Sequence, residues 1–273
     1  MPFVNVRGAN LFYADDEFIA PWSVRERATV FMQGYIFGSH DEFREMVPTV
    51  AREYRVIRMD RRGNGDSEKP PFGYEYNVPD LLADFVGFLD ALAIDRVHYI
   101  GYHLGGMLGA LFAAAHPERV QSLVMFSSPR FISETIQQGF ARPGYPDGAS
   151  AVEALGTWAY ARWNMGRNLG PAAKTEDVLR AAFTAEQTGK MPTHVVASLI
   201  RMVSAPDFNI TPILSSIKSP TLLISETKFQ LIPLDEQEII RKTIPHCDQV
   251  LLDSPPWDPD HVAQICLEFI RNH

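Results

Sequence analysis

The residue with the clearest chemical meaning in this sequence is a histidine at the tip of a predicted tight turn. An apolar strand at residues 97–100 runs into Gly-Tyr-His-Leu-Gly-Gly and then into an apolar helix. A Gly-x-Ser-x-Gly turn between a strand and a helix presents a nucleophilic serine at this place. The glycines of such a turn, Gly101 and Gly105, are kept here. We therefore expect the turn to form, with the His103 imidazole at its tip.

An imidazole at this tip would work as a base. Its reference pKa of about 6.5 lets it accept a proton without activation by a second group. The N-terminus of the following helix and burial both disfavour the imidazolium form, so we expect a neutral His103 at pH 7. A base of this kind suits proton abstraction, elimination, decarboxylation or cyclisation.

Short apolar strands alternate with helical patterns along most of the chain. The pattern predicts strands at 28–34, 54–60, 97–100, 121–128, 220–225 and 248–253. Such alternation is typical of an α/β protein with a mostly parallel sheet and helices on both faces. Functional residues in these sheets gather at the carboxyl ends of the strands, where the turn with His103 lies.

One segment interrupts this alternation. Residues 131–209 contain no good strand pattern, are rich in aromatic residues and methionine, and show helical patterns. We therefore predict a core formed by residues 1–130 and 210–273. Residues 131–209 are predicted to be inserted as a helical cap over the strand ends.

Composition disfavours several classes of protein. The 273 residues carry a formal net charge of −8 and no long basic run, which argues against a nucleic-acid partner. No apolar stretch approaches the ~18 to 20 residues of a membrane span, and the N-terminus lacks a signal-peptide pattern. Two cysteines make neither a disulfide framework nor a zinc site, and the histidines lack metal-ligand spacing. We expect a cytoplasmic protein without cofactor, metal, nucleic acid or membrane partner, and a homodimer stays open.

Two long segments carry a resemblance to a known family. The segments are YRVIRMDRRGNGDSEKP (54–70) and GYHLGGMLGALFAAAHPERVQSLVMFSSP (101–129). They resemble the α/β-hydrolase fold, in the branch that holds enol-lactone and carbon–carbon bond hydrolases, haloalkane dehalogenases and cofactor-free dioxygenases. The resemblance implies this fold over nearly the whole chain. It also implies a nucleophile on the elbow, an acid after a later strand, a histidine after the last strand and an oxyanion hole of two backbone N–H groups.

The positions that the resemblance assigns to the catalytic triad hold other residues. His103 replaces the nucleophile. The acid position falls near Lys228, and the nearby carboxylate of Glu226 is interpreted as part of a solvated loop. The final histidine position falls near Trp257, and His261 is interpreted as a surface residue of the last helix. We therefore expect ordinary serine-hydrolase chemistry to be absent.

The oxyanion hole that the resemblance implies would use the backbone N–H groups of Tyr35 and Leu104. These donors depend on the shape of the backbone and not on a particular side chain. Gln33 stands where the family carries a histidine, and its amide can donate or accept. His40 either caps the next helix or lines the pocket.

We predict that the ligand is a small aromatic or polyketide-like molecule. Aromatic walls with a few polar anchors suit such a molecule. The residues predicted to contact it are Gln33, Phe37, Trp158, Trp163 and Trp257. The aromatic residues of the cap have ordinary packing against the core as their alternative role.

The sequence thus predicts a non-hydrolytic, cofactor-independent enzyme of the lyase, cyclase, isomerase or oxygenase type, acting in natural-product biosynthesis with His103 as general base. Two alternatives stay open. One is a catalytically inactive binder or receptor of a small molecule. The other is an atypical hydrolase in which His103 itself is the nucleophile.

Overall fold

The structure is a computed structural model, and it describes residues 2–18, 20, 22, 28–169, 173–227, 232–253 and 258–273. Two residues that the sequence analysis placed near the site, Lys228 and Trp257, lie outside these ranges. The predictions made for them stay predictions.

The described part of the chain forms one eight-stranded sheet with the order β1-β2-β4-β3-β5-β6-β7-β8. The strands are β1 (Phe3–Val6), β2 (Ala9–Asp16), β3 (Thr29–Gln33), β4 (Arg55–Met59), β5 (Val97–Tyr102), β6 (Val120–Phe126), β7 (Thr221–Glu226) and β8 (Cys247–Leu252). Pairing is antiparallel between β1 and β2 and between β2 and β4, and parallel from β4 through β8. The mostly parallel sheet is confirmed. The first two strands were not predicted, because both show only a weak alternation of buried and exposed residues.

Helices cover both faces of the sheet. The α-helices are α1 (Val47–Val50), α2 (Val78–Ala91), α3 (Leu104–Ala115), α4 (Glu134–Phe140), α5 (Gly148–Leu155), α6 (Thr157–Asn168), α7 (Thr175–Gly189), α8 (Thr193–Ser204), α9 (Leu234–Thr243) and α10 (Pro259–Arg271). Short 3₁₀ helices run from His40 to Phe43 and from Thr211 to Ser216. The pleat of β3 sends Phe31 into the apolar layer on one face and its neighbours Val30 and Met32 into the layer on the other. A strand buried on both faces in this way reads as a continuous apolar run.

The segment between β6 and β7 holds the helices α4 to α8. Its two ends meet where Phe131 and Asn209 form an antiparallel bridge, and the Ile210 N–H donates to the Arg130 carbonyl at 2.8 Å. Gly156, at a φ of +78°, separates α5 from α6. The division of the chain into a core and a cap stays a prediction.

Among the residues that the structure describes, no helix combines the length and the apolar character that crossing a membrane requires.

Candidate active site

His103 lies between the end of β5 and the first residue of α3, in a turn with a φ of +50° and a ψ of −116°. A non-glycine residue in such a conformation carries about 1–3 kcal/mol of strain, which the surrounding structure has to hold. Part of that support is the His103 N–H, which donates to the Phe126 carbonyl at 3.0 Å. Glycine is required on both sides of the turn, because a Cβ at Gly101 would collide with the backbone of Gly105, and one at Gly105 with the Gln33 carbonyl. The tight turn predicted from the sequence is therefore present.

The His103 side chain lines a mostly apolar cavity of about 120 Å³. The cavity is lined by Tyr35, Ile36, His103, Leu104, Pro129, Ile132, Ile136, Gly139, Phe140, Val203 and Ile232. The rings of Tyr35 and Tyr102 meet the imidazole edge to face, with centroids 5.8 Å and 4.3 Å away. Burial among these groups lowers the pKa of His103 to about 4. This direction agrees with the expectation of a neutral imidazole at pH 7, since burial penalises the charged form.

The predicted oxyanion hole is altered at Tyr35. The Tyr35 N–H donates to Oε2 of Glu42 at 2.7 Å, so a carboxyl group of the protein itself occupies the place meant for the oxyanion. The expectation that this N–H would serve as an oxyanion donor is wrong for the structure as it stands. Leu104 lines the cavity and is the first residue of α3. A backbone N–H at that position has no acceptor within its own helix.

Glu42 projects from the short helix His40–Phe43 onto the loop that follows β3. A Cβ at either Gly34 or Gly38 would collide with its Oε2 atom, so these glycines make room for the carboxyl group. Burial raises the pKa of Glu42 to about 7, against the opposing effects of the Tyr35 hydrogen bond and the positive charge of Arg61. A carboxyl group with this pKa exchanges a proton readily near neutral pH.

The loop after β3 is held from behind by two buried side chains. The Arg61 guanidinium donates to the carbonyls of Gly34, Tyr35 and Ile36, and the Asn64 amide donates to the carbonyls of residues 36 and 38. Because the carbonyls are bound on this side, the Tyr35 N–H is fixed toward Glu42. The orientation of this loop is therefore set in advance of any ligand.

Gln33 belongs to this support and not to the lining of the cavity. Its amide nitrogen donates to the Met59 carbonyl at 3.0 Å, and its amide oxygen accepts from Arg61 at 3.0 Å. The side chain is 1% exposed. The predicted contact between Gln33 and a ligand is contradicted, because both ends of its amide are used inside the protein.

The position of Glu226 also differs from the interpretation made from the sequence. Glu226 is the last residue of β7 and is 5% exposed, so it is not part of a solvated loop. The Ser127 hydroxyl donates to its Oε2 atom. Ser127 follows β6 and has a φ of +44°. Burial raises the pKa of Glu226, and the hydrogen bond from Ser127 opposes that shift. A second carboxyl group therefore lies at the carboxyl end of the sheet.

The other aromatic residues predicted to contact a ligand are placed differently from one another. Phe37 is buried behind the cavity, where its ring packs edge to face against the rings of Tyr35 and Phe140 at 5.7 Å and 6.3 Å. Trp158 is 52% exposed and its ring lies against Gly189 at the end of α7. The Trp163 ring lies 5.3 Å from the guanidinium of Arg142. These three residues are not among those that line the described cavity.

Neither of the two remaining histidine candidates lines the cavity. Nδ1 of His40 lies 3.0 Å from Oδ2 of the buried Asp60. Burial lowers the pKa of His40, but the hydrogen bond and the charge of Asp60 outweigh it and raise the pKa overall. His261 is exposed in the first turn of α10, which confirms its interpretation as a surface residue.

Three side chains could in principle hold a metal ion. Ligand atoms of His40, Asp60 and Asp66 all lie within 4.8 Å of one another. The Asp60 carboxylate, however, already accepts hydrogen bonds from the backbone N–H groups of His40 and Asp66. These contacts tie the loop after β4 to the loop after β3, so the cluster has a structural role that requires no ion.

The sequence analysis missed Glu42 and the hydrogen bond between Ser127 and Glu226. The only signal for Glu42 is the spacing of Gly34, Gly38 and Glu42, which are four residues apart each time. That spacing acquires its meaning only once the loop is folded.

Comparison with known proteins agrees with this architecture. A family model described as the alpha/beta hydrolase fold matches residues 30–157. A putative carbamate hydrolase, RutD, of Stutzerimonas stutzeri is 28% identical over 246 residues, which cover 81% of this chain and 86% of that protein. A 2-hydroxy-6-oxo-2,4-heptadienoate hydrolase of Pseudomonas putida is 38% identical over 86 residues, 32% of this chain and 31% of that protein.

The fold is also that of solved structures at low sequence identity. The enol-lactonase from Burkholderia xenovorans LB400 superposes with a TM-score of 0.83 at 21% identity, covering 99% of this chain and 100% of that chain. A thermophilic esterase from Thermogutta terrifontis superposes with a TM-score of 0.82 at 20% identity, covering 100% and 99% of the two chains. The protein has the α/β-hydrolase fold, and residues 30–157 match the family model of that fold.

Proposed function

We propose that this protein is a cofactor-independent enzyme that transfers a proton on a small, largely apolar or aromatic molecule without hydrolysing it, with His103 as the proton acceptor. The observation that supports it most directly is a neutral imidazole, held on a strained turn, in the wall of an apolar cavity. The proposed reaction classes are those of a lyase, cyclase, isomerase or oxygenase.

Hydrolysis is the less favoured chemistry because three of its requirements are altered in this chain. The elbow carries His103 and not serine, and His261, near the family's histidine position, is exposed at the surface. The Tyr35 N–H, which would stabilise a tetrahedral oxyanion, already donates to Glu42. Loss of a single oxyanion donor costs about 10²- to 10³-fold in rate in enzymes that depend on it.

The pKa of His103 sets the size of the catalytic effect. A general base typically contributes about 10²- to 10⁴-fold, and it works best when its pKa lies near the working pH. Because burial lowers the pKa of His103 to about 4, we expect a contribution at the lower end of that range. The remaining positive features of the site are the N-terminus of α3 and the Leu104 N–H, which stabilise developing negative charge.

The test compares wild type with His103→Ala, His103→Asn and His261→Ala. Each is incubated under air and under nitrogen with aromatic lactones, enols and β-keto acids, and the products are identified by mass spectrometry. We expect turnover in wild type and in His261→Ala, the exposed-histidine control, and none in His103→Ala. The mass change assigns the reaction: none for isomerisation or cyclisation, loss of CO₂ for decarboxylation, gain of O₂ under air alone for oxygenation. Gain of water that depends on His103 would overturn the proposal in favour of a hydrolase with a histidine nucleophile.

A small-molecule binder or receptor is the second candidate. It is favoured by one observation, the Glu42 carboxyl group on the Tyr35 N–H, which removes a catalytic donor while leaving the cavity in place. A ligand that binds the native state raises its melting temperature by mass action. Ligand-dependent stabilisation without turnover in any variant would support this candidate over an enzyme.

A further inference from the structure

The lining of the cavity beside His103 offers no ionised side chain to a ligand. Among the described residues that form it, none is an aspartate, glutamate, lysine or arginine. His103 itself is neutral at pH 7, because burial lowers its pKa to about 4. A charged ligand would therefore leave water without meeting an opposite charge in this lining, which is costly.

Charged side chains on the neighbouring segments are engaged by other groups of the chain. Arg130 follows the lining residue Pro129, but its guanidinium pairs with the Glu236 carboxylate. Glu226, at the end of β7, accepts a hydrogen bond from the Ser127 hydroxyl. Either group would have to give up its present contact before it met a charge on the ligand.

We propose that the substrate of this site is an uncharged molecule with a single ring, or one of equal size, and not an ionised or polycyclic molecule. This inference rests on the proposed function and specifies its substrate class. It also narrows the reaction classes. A β-keto acid is ionised at neutral pH, so decarboxylation of such an acid is disfavoured here relative to rearrangement of an uncharged enol or lactone.

The polar groups beside the ligand are dipoles, which suit a neutral polar group. The N–H of Leu104, at the first position of α3, has no acceptor within its own helix. The N-terminus of a helix stabilises an anion by at most about 2 kcal/mol, whereas removing an ion from water costs several kcal/mol. A hydroxyl or carbonyl group avoids most of that cost and still forms hydrogen bonds with the N–H or the imidazole. The balance therefore favours a neutral ligand.

The volume of the cavity limits the ligand to about one ring. A dry cavity of roughly 150 Å³ binds benzene, and the cavity beside His103 measures about 120 Å³. One six-membered ring fills such a volume, and a second fused ring has no room. The small aromatic molecule predicted from the sequence fits this limit, and a polyketide-like molecule of several rings does not.

The helices that bound the cavity are held in place by contacts elsewhere. Phe140 of α4 lines the cavity, and its carbonyl accepts from the Tyr160 hydroxyl at 2.8 Å. Val203 of α8 also lines it, and the same helix is tied through the Ser198 hydroxyl, which accepts from the Tyr76 N–H at 2.9 Å. Enlarging the cavity for a second ring would require these helices to move and their contacts to break.

The experiment uses pairs of probes that match in shape and differ in one property. Benzyl alcohol and benzylamine differ in charge at pH 7.5, where the amine is protonated. Benzamide and benzoate differ in the same way, with a negative charge on the second. 2-Naphthalenemethanol adds a second ring to benzyl alcohol. Affinities for the wild-type protein are measured by calorimetry at pH 7.5, where His103 is neutral.

We expect each neutral probe to bind at least about tenfold more tightly than its charged partner, which corresponds to about 1.4 kcal/mol. Benzyl alcohol should also bind at least about tenfold more tightly than 2-naphthalenemethanol. These comparisons need no variant, so they do not depend on the folding of a mutant protein.

A variant that enlarges the cavity tests the size limit by a gain of binding. Ile136 lines the cavity and is half-buried on α4. Ile136→Ala should bind 2-naphthalenemethanol at least about tenfold more tightly than wild type does. Leu179→Ala removes a similar side chain that is 63% exposed on α7, and it should leave the affinities unchanged. Loss of structure would not produce such a gain.

Several results would overturn the inference. Benzylamine or benzoate that bound as tightly as its neutral partner would show that the site compensates a charge. 2-Naphthalenemethanol that bound wild type as tightly as benzyl alcohol would show that the cavity does not limit the ligand to one ring. No gain in Ile136→Ala, or no binding of benzyl alcohol at millimolar concentration, would show that the ligand does not occupy this cavity.

Failure of this inference is distinguishable from failure of the proposed function. If the neutral single-ring probes are preferred while no molecule is turned over, the enzyme proposal fails and the ligand class stands. If turnover depends on His103 but the best substrates are β-keto acids or polycyclic molecules, the ligand class fails and the enzyme proposal stands.

Discussion

The replacement of Glu42 by glutamine should stabilise this protein at alkaline pH and leave it nearly unchanged at acidic pH. Burial raises the pKa of Glu42 from its ordinary 4.5 to about 7 in the folded state. Between these values the folded protein binds a proton that the unfolded chain has released, so the stability from this group is full below pH 4.5 and is lost as the pH rises through 7. Glutamine keeps the acceptor oxygen for the Tyr35 N–H and carries no charge at any pH.

The magnitude follows from the shift. A change of about 2.5 pH units is equivalent to about 3 kcal/mol, which is the upper bound for the gain in the free energy of unfolding at pH 8.5. For a chain of this size, each kcal/mol moves the melting temperature by about 2–4 °C. The assay is urea unfolding followed by circular dichroism at pH 5 and pH 8.5, with Glu118→Gln as a control for removal of an exposed carboxylate.

The comparison between the two pH values decides the outcome. A gain of about 1–3 kcal/mol at pH 8.5 that shrinks to less than about 1 kcal/mol at pH 5 would agree with a desolvated carboxyl group. An equal change in the free energy of unfolding at both pH values would refute the reasoning, because a neutral and an ionised Glu42 would then destabilise the folded protein equally. A loss of stability at pH 8.5 would show that the ionised group is held by positive charge, with Arg61 outweighing burial.

The remaining predictions concern the turn and the loop beside it. Asparagine tolerates the positive φ at position 103, and His103→Asn should make the free energy of unfolding less sensitive to acid. Burial lowers the pKa of His103 in the folded state to about 4, so wild type loses up to about 3 kcal/mol of stability as the pH falls from 6.5 to 4. The free energy of unfolding of both proteins is measured by urea unfolding at pH 7 and pH 5. Arg61→Met should cost more than about 3 kcal/mol by the same assay, because each buried carbonyl left unpaired costs about 1–3 kcal/mol. Gly34→Ala should displace Glu42 and cost about 1–3 kcal/mol, with an upfield shift of the Tyr35 amide proton in the NMR spectrum. His103→Ser should show no esterase activity above background with nitrophenyl esters, and activity comparable to a serine esterase would contradict our account of the site.

The parts of the site that are local in sequence were predictable. The turn at His103 is specified by a strand, a helix and Gly101 and Gly105, all within a few residues, and the structure has it where the pattern placed it. The direction of the His103 pKa shift was also predictable, since the N-terminus of a helix and burial act in the same direction.

The parts that depend on contacts between distant segments were not predictable. Glu42 reaches the Tyr35 N–H only because Arg61, 26 residues further along, fixes the intervening loop. Glu226 appeared to follow a strand but is its last residue, and a shift of one position decides whether a strand residue is buried or exposed. Trp158 was assigned to the pocket because it is aromatic, whereas packing between α6 and α7 places its ring against Gly189.

The changes at the elbow and in the loop after β3 affect the same property of the site, its ability to stabilise negative charge. A serine hydrolase develops an oxyanion that needs N–H donors, and an ionised Glu42 on the Tyr35 N–H opposes such a charge. A neutral His103 and a Glu42 with a pKa of about 7 can instead accept and donate protons. If one group accepts a proton while the other donates one, the substrate is rearranged without a net charge building up on it. For this reason the proposed function assigns to the site tautomerisation, cyclisation or elimination in preference to hydrolysis.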